Sequence, residues 1–342
     1  MRDRGSVIGR RWAPTAAIIA TAVGLGGCGG AHDAPDAPAS DAAPGVCLIA
    51  PPPPAGCDAP GGPSPATVSI PVAELVADPP GCRVYARAAD AVLVIEVATA
   101  RELAIIATPG ARDLDMPSDG GAVVVARGAA GLTVLEGCAG TVRTVPTAAA
   151  AERVRAAAGR AFYVTATSGD VHRVDLATGA DTQLAVAACP GCEPALTADG
   201  DRLYLATTGV TPPRVDVYDV RGDGFALIDS SGPLAIDAAP TRHALLSPDG
   251  QRLWLARAQL DATAVATVRG VIPDPVVAEE PARRLAVGQS QTYDSLSLFV
   301  YERPPYHPTT GTFVAGGREF WGMLSDTVMW RIASARLGGA AP

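Results

Sequence analysis

The 342-residue chain has no lysine and no asparagine, and all 27 of its basic residues are arginine. Without lysine there is no Walker-type phosphate-binding lysine and no Schiff-base chemistry, and without asparagine there is no catalytic asparagine. Histidine is scarce. Only His172, His243 and His307 lie beyond the N-terminal segment, and none has a second histidine or a carboxylate at ligand spacing, so no metal is expected. Positive charge is also short. A net charge of −8 lacks the basic footprint of a nucleic-acid binder, and no nucleic-acid partner is expected. No motif implies a cofactor. The segment Gly288-Gln289-Ser290-Gln291-Thr292 lacks the closing glycine of a nucleophile elbow. Asp113, Asp115 and Asp119 with Gly120 do not have EF-hand spacing.

A long apolar run is missing as well. The best one, Trp12 to Leu25, is too short and too rich in Ala and Gly for a spanning helix, which needs about 20 apolar residues. It follows Arg2, Arg4, Arg10 and Arg11 and ends in Leu25-Gly26-Gly27-Cys28. A charged start, a short apolar core and a small-residue exit make a secretory pattern. With a leucine three residues before the cysteine, residues 1–27 resemble a bacterial lipoprotein signal peptide. The resemblance implies that Cys28 becomes an acylated N-terminus, which holds a chain on a membrane without a spanning helix. It also implies export to the cell envelope. Gly29 stands where an aspartate retains some lipoproteins in the inner membrane, so the outer membrane is favoured.

Seven cysteines are an odd number. Acylation of Cys28 leaves Cys47, Cys57, Cys82, Cys138, Cys189 and Cys192, an even set that suits disulfides in an exported chain. Proximity suggests Cys47–Cys57 and Cys189–Cys192, with Cys82–Cys138 remaining, out of fifteen possible sets. Cys189-Pro190-Gly191-Cys192 has redox-motif spacing, but no βαβ pattern surrounds it and no second such pair completes a zinc site. A loop-closing disulfide is the expectation. Residues 29–46 are almost all Gly, Ala, Asp and Pro, a composition that cannot bury a core. Residues 28–63, including the Pro51–Pro54 run, are expected to form a tether.

From residue 64 to 338 a different texture is expected. A small polar turn followed by a short apolar strand recurs, with strands starting at Arg83, Ala122, Ala161, Arg202 and Arg252. Spacings near 40 residues built of short strands indicate propeller blades. The fold class expected is all-β, a β-propeller of four-stranded blades, seven preferred and six possible. Leu203-Tyr204-Leu205 and Leu253-Trp254-Leu255 are apolar on both pleat faces and read as inner strands. Ala264–Arg269 and Val276–Glu279 are expected to complete the fifth unit, and Leu296–Glu302 to be the inner strand of a sixth. Residues 318 to 337 are expected to form a last sheet closed by Thr67–Val72. Ser247–Ala256, Thr197–Ala206 and Val174–Gly179 resemble the YVTN/lactonase-like and WD40-like propellers of exported bacterial proteins, which supports the fold and says little of function.

Eight of the sixteen aromatic residues lie after position 288. They fill the last blades, or they line a binding surface around the rigid loop Glu302–Pro308. Arg303, Tyr306, His307, Phe320 and Trp321 are the candidate binding residues on the second reading. The expected function is a membrane-anchored, non-catalytic binding or scaffold propeller whose partner is an envelope protein or a small molecule. The alternative is a lactonase-like hydrolase at the channel mouth.

Overall fold

The computed structural model describes Cys57 and residues 64–337, except 79–81, 137–140, 158, 187, 190, 208–210, 237–243, 303–306 and 316. Seven four-stranded antiparallel sheets follow one another along the chain. They form the seven blades of a propeller. Their first strands are Glu74–Ala77, Asp113–Asp115, Ala151–Ala157, Glu193–Leu196, Ala244–Leu246, Val276–Glu280 and Gly311–Val314. These first strands neighbour one another around the axis and line a shared channel.

The recurring apolar strand is therefore the second strand of each blade, one place out from the axis. Its burial on both faces has a simple origin. Alternate residues of a strand point to opposite faces, and each face of a blade meets a neighbouring blade. Val84 and Ala86 pack into the core shared with blade 7, while Tyr85 packs into the core shared with blade 2. Leu203 and Leu205 face blade 3 and Tyr204 faces blade 5. Leu253 and Leu255 face blade 4 and Trp254 faces blade 6. Seven such cores fill the seven inter-blade spaces. A buried Tyr or Trp removes roughly 150–250 Å² from water, on the order of 4–6 kcal/mol of gross stabilisation as an upper bound.

The turn before the second strand is built the same way in two copies. Ser247 Oγ donates to Asp249 Oδ1 at 2.6 Å and accepts from the Arg252 amide at 2.9 Å. Thr197 Oγ1 likewise bonds Asp199 Oδ1 and accepts from the Arg202 amide. Gly200 closes its turn at φ +74°, and a Cβ there would lie 2.7 Å from Ala157 Cβ. Only glycine fits both demands.

The ring closes through the N-terminal strand Ser64–Thr67, which pairs with Val328–Ala333 as the outer strand of blade 7. The closing strand lies ahead of the expected Thr67–Val72 span. Val68 and Val72 instead donate to the carbonyls of Thr327 and Asp326, carrying the chain across the blade edge toward blade 1. Two further expectations are corrected. Val276–Glu280 opens blade 6 instead of ending blade 5, and Val300–Glu302 is the outer strand of blade 6, not an inner one. Cys57 pairs with Cys82, which replaces the expected partners of both. Cys189 pairs with Cys192 as expected. Cys28, Cys47 and Cys138 lie outside the described residues.

Candidate functional site

Strand direction sorts the charges on the channel. Each first strand starts at one face, here the mouth face, and ends at the opposite face. A cavity of about 670 Å³ opens at the mouth face, lined by Glu74, Arg87, Asp113, Glu152, Arg153, Arg155 and Glu193 among others. Below it a narrower shaft of about 250 Å³ runs along the axis. Charge on the shaft is one-sided. Blades 1 to 3 bring Glu74, Asp115 and Arg155 to it together with Leu75, Val76 and Leu114, while blades 5 and 6 bring only apolar residues, Leu245, Leu246 and Val277 among them.

The guanidinium groups are shared among the carboxylates. Arg87 Nε donates to Glu74 at 2.8 Å within blade 1. Arg155 donates to Asp113 at 2.9 Å, joining blades 2 and 3. Arg153 Nε lies 3.2 and 3.1 Å from the two oxygens of Glu193, joining blades 3 and 4. Glu152 stands 3.8 Å from the other side of Arg153. Asp113 also accepts from the Val154 amide, and Asp115 from the Ala156 amide. Arg112 and Asp326 also line the mouth, so four guanidiniums face six carboxyl groups.

Titration reflects that imbalance. Burial, reinforced by the charge of Asp113, pushes the Glu74 carboxyl up to about 8. Burial pushes Glu193 up to about 7, with Arg153 and Arg155 opposing the shift. Burial raises Asp115 as well. Burial alone would lower Arg155, but Asp113, Asp115 and Glu74 outweigh it and hold the guanidinium firmly charged. Carboxyls that keep their protons near neutrality can act as acids or receive a positive charge.

The sequence candidates fall elsewhere. Phe320 and Trp321 are both 0% exposed in the second strand of blade 7. They are core residues because they sit at the doubly buried strand, and they form no surface. His307 is exposed at the mouth-face end of blade 7, its Nδ1 3.0 Å from the Gln289 carbonyl oxygen. Arg303, Tyr306 and His243 lie outside the described residues. His172 does have a carboxylate partner. Strand pairing, not sequence spacing, brings Asp181 within 3.0 Å of its Nδ1, and Tyr163 stacks on the ring and bonds the same carboxylate. Asp113, Asp115 and Asp119 do not converge, since Asp119 caps its own turn at the Gly121 amide. Among the described residues no three His, Cys, Asp or Glu side chains are grouped to hold a metal ion.

The mouth residues carried a sequence signal that spacing alone reveals. Glu74, Asp113, Glu152 and Glu193 each lie nine residues ahead of the repeat positions Arg83, Ala122, Ala161 and Arg202. The same acidic position therefore recurs on four successive blades.

No protein-family model and no curated protein sequence matches the chain. Solved structures do match in shape. The Cps50 (Swd1) β-propeller domain of Myceliophteria thermophila superposes with a TM-score of 0.61 at 11% identity, covering 79% of this chain and 99% of that one. A chain of the mitotic checkpoint complex superposes with a TM-score of 0.62 at 14% identity, covering 80% and 92%. At such identities the likeness concerns the fold alone, which is a WD40-like β-propeller.

Proposed function

We propose that this chain is an exported, lipid-anchored envelope protein whose propeller is a non-catalytic binding module, with the mouth-face cavity as its binding site. The observation that carries the binding role is the mouth itself. The first strands of blades 1 to 4 converge on a cavity whose charged side chains are engaged with one another within and across blades, an arrangement that presents fixed charge for recognition. The anchor rests on the Leu25-Gly26-Gly27-Cys28 sequence, and the outer membrane on Gly29. The WD40-like fold supports the role because its loops gather around a central opening.

The test is crosslinked capture from solubilised membranes with the full chain and two variants. Arg153→Glu reverses a mouth charge, and Asp223→Arg alters the opposite face, where Asp223 is fully exposed. A partner captured by the wild type and Asp223→Arg but lost with Arg153→Glu supports the reading. Recovery of the bait alone overturns it. The hydrolase alternative draws on the protonated Glu74 and Glu193, since a carboxyl poised near neutrality suits general acid work. Lactone hydrolysis abolished by Glu74→Gln would favour it over binding.

A further inference from the structure

We propose that the channel takes a ligand carrying one cationic group, an ammonium or guanidinium, on an apolar body. The inference rests on the mouth-face cavity being the binding site and adds the chemistry of what enters it.

Three features of the cavity and shaft point the same way. Charge comes first. Glu74, Asp113, Asp115, Glu152, Glu193 and Asp326 share Arg87, Arg112, Arg153 and Arg155. With all six carboxyls ionised, an added cation meets two uncompensated negative charges, while three of the four guanidiniums that an anion would meet are already engaged. Oxygen availability is the second. Arg87 Nε bonds Glu74 through Oε2, the Oε1 atom accepts no hydrogen bond among the described residues, and Glu74 lines both the mouth and the shaft. The third is the apolar wall. Leu245, Leu246 and Val277, half-buried on the shaft, offer an apolar surface where no charge stands, so a cation on a hydrocarbon or aromatic body satisfies both walls at once. The shaft's charged side chains all come from blades 1 to 3, and blades 5 and 6 add none.

The groups around the two titrating carboxyls fix the expected pH response. Glu74 faces Arg87 on its own blade, Asp113 on blade 2 and Arg155 on blade 3. Glu193 faces Arg153 and Arg155 on blade 3 and Asp113 on blade 2. At pH 6 both carboxyls hold protons that compete with a cation. At pH 9 both are ionised, and the cation takes the place of the protons.

The cation has two possible sources, a free amine or a basic side chain of a partner protein, and two arms of one titration separate them. The full chain is titrated with phenethylammonium and with neutral 2-phenylethanol. It is also titrated with a short peptide bearing one Arg between Leu residues and with its Gln counterpart. The cationic member of a pair is expected to bind about tenfold or more tighter than its neutral counterpart. Its affinity should rise from pH 6 to pH 9, and Glu74→Gln should lose most of that rise while melting as a folded protein. Binding of the small amine assigns a free amine, and binding of the peptide alone assigns a partner side chain. Equal binding of charged and neutral members, no binding of either cation at millimolar concentration, or an unchanged pH response in Glu74→Gln would overturn the inference. Partner capture that persists under any of those outcomes leaves the binding role standing and removes only the cation.

Discussion

Single side chains at the blade junctions combine two roles, joining neighbouring blades and tuning charge. Glu279 has a fully buried side chain that accepts from Arg252 Nε at 2.6 Å and from Trp254 Nε1 at 2.6 Å. It ties blade 5 to blade 6. Removing it leaves a buried guanidinium with Asp249 alone and a buried indole N–H unpaired. Glu279→Ala is expected to cost about 3–5 kcal/mol, read as a lower urea midpoint with an unchanged m-value. Glu74 works in the opposite sense. Its folded pKa of about 8 lies above the value of an unfolded glutamate, so the folded state holds a proton that the unfolded state releases. The stability this contributes is complete below the unfolded pKa and is lost as pH rises through about 7 to 8 for Glu193 and Glu74. Melting temperature should therefore fall between pH 5 and pH 9. Glu74→Gln, which mimics the protonated carboxyl, should match the wild type at pH 5 and melt a few degrees higher at pH 9.

Among the elements, the strand that closes the ring has a distinct role. Ser64–Thr67 contributes four residues, and its pairing with Val328–Arg331 alone completes blade 7. The Cys57–Cys82 bridge holds Cys57 against the start of the second strand of blade 1, and Arg318 donates to the Cys57 carbonyl from blade 7. The bridge closes a 25-residue separation, for which chain entropy gives about 3 kcal/mol. Cys82→Ser should lose about that much, and dithiothreitol should add little further loss to the variant if this bridge dominates the reductant's effect on the wild type. Elements also differ in how plainly the sequence announced them. Five of the seven second strands were legible because a glycine turn precedes them and because burial on both faces made Leu203–Leu205 and Leu253–Leu255 continuously apolar, whereas Leu285–Gly288 follows Pro281–Arg283 and Arg284 without a glycine and was missed. The first strands were not. Glu193–Leu196 and Ala151–Ala157 line a polar channel on one side, so their mixed composition resembled loop edges. The aromatic residues after position 288 drew attention to the wrong place for the same reason, since Phe320 and Trp321 occupy a second strand and fill cores. Charge on the channel was legible only as an offset from the repeat, at Glu74, Asp113, Glu152 and Glu193. The pairings expected for Cys57 and Cys82 failed because sequence proximity of Cys47 and Cys57 says nothing of which blade turn Cys57 reaches, while Cys189–Cys192 formed as proximity suggested.

At the scale of the molecule, the ring places the Cys57–Cys82 bridge and the mouth-face cavity on opposite faces. The Cys57–Cys82 bridge and Arg318 lie at turns between first and second strands, which is the face opposite the mouth. Ser64 pairs with Arg331 and Thr67 with Val328, so the closing strand runs from that opposite face toward the mouth. Cys57 thus meets the propeller on the opposite face from Glu74 and Arg153. An anchor ahead of Cys57 and a binding site at the mouth should then act independently, which is testable. If Cys28 carries the anchor, Cys28→Ala removes the acyl chains and with them the apolar transfer energy that holds the chain on lipid, about 0.8 kcal/mol for each buried CH₂. The variant should move from the membrane to the soluble fraction and fail to incorporate a palmitate analogue. Its melting temperature and its affinity for a mouth-face ligand should match the wild type if anchoring and folding are independent. A variant that stays with the membrane would show that something other than Cys28 holds the chain there. Release accompanied by a lower melting temperature would show that anchoring and folding are coupled, against the separation that the two faces of the ring provide.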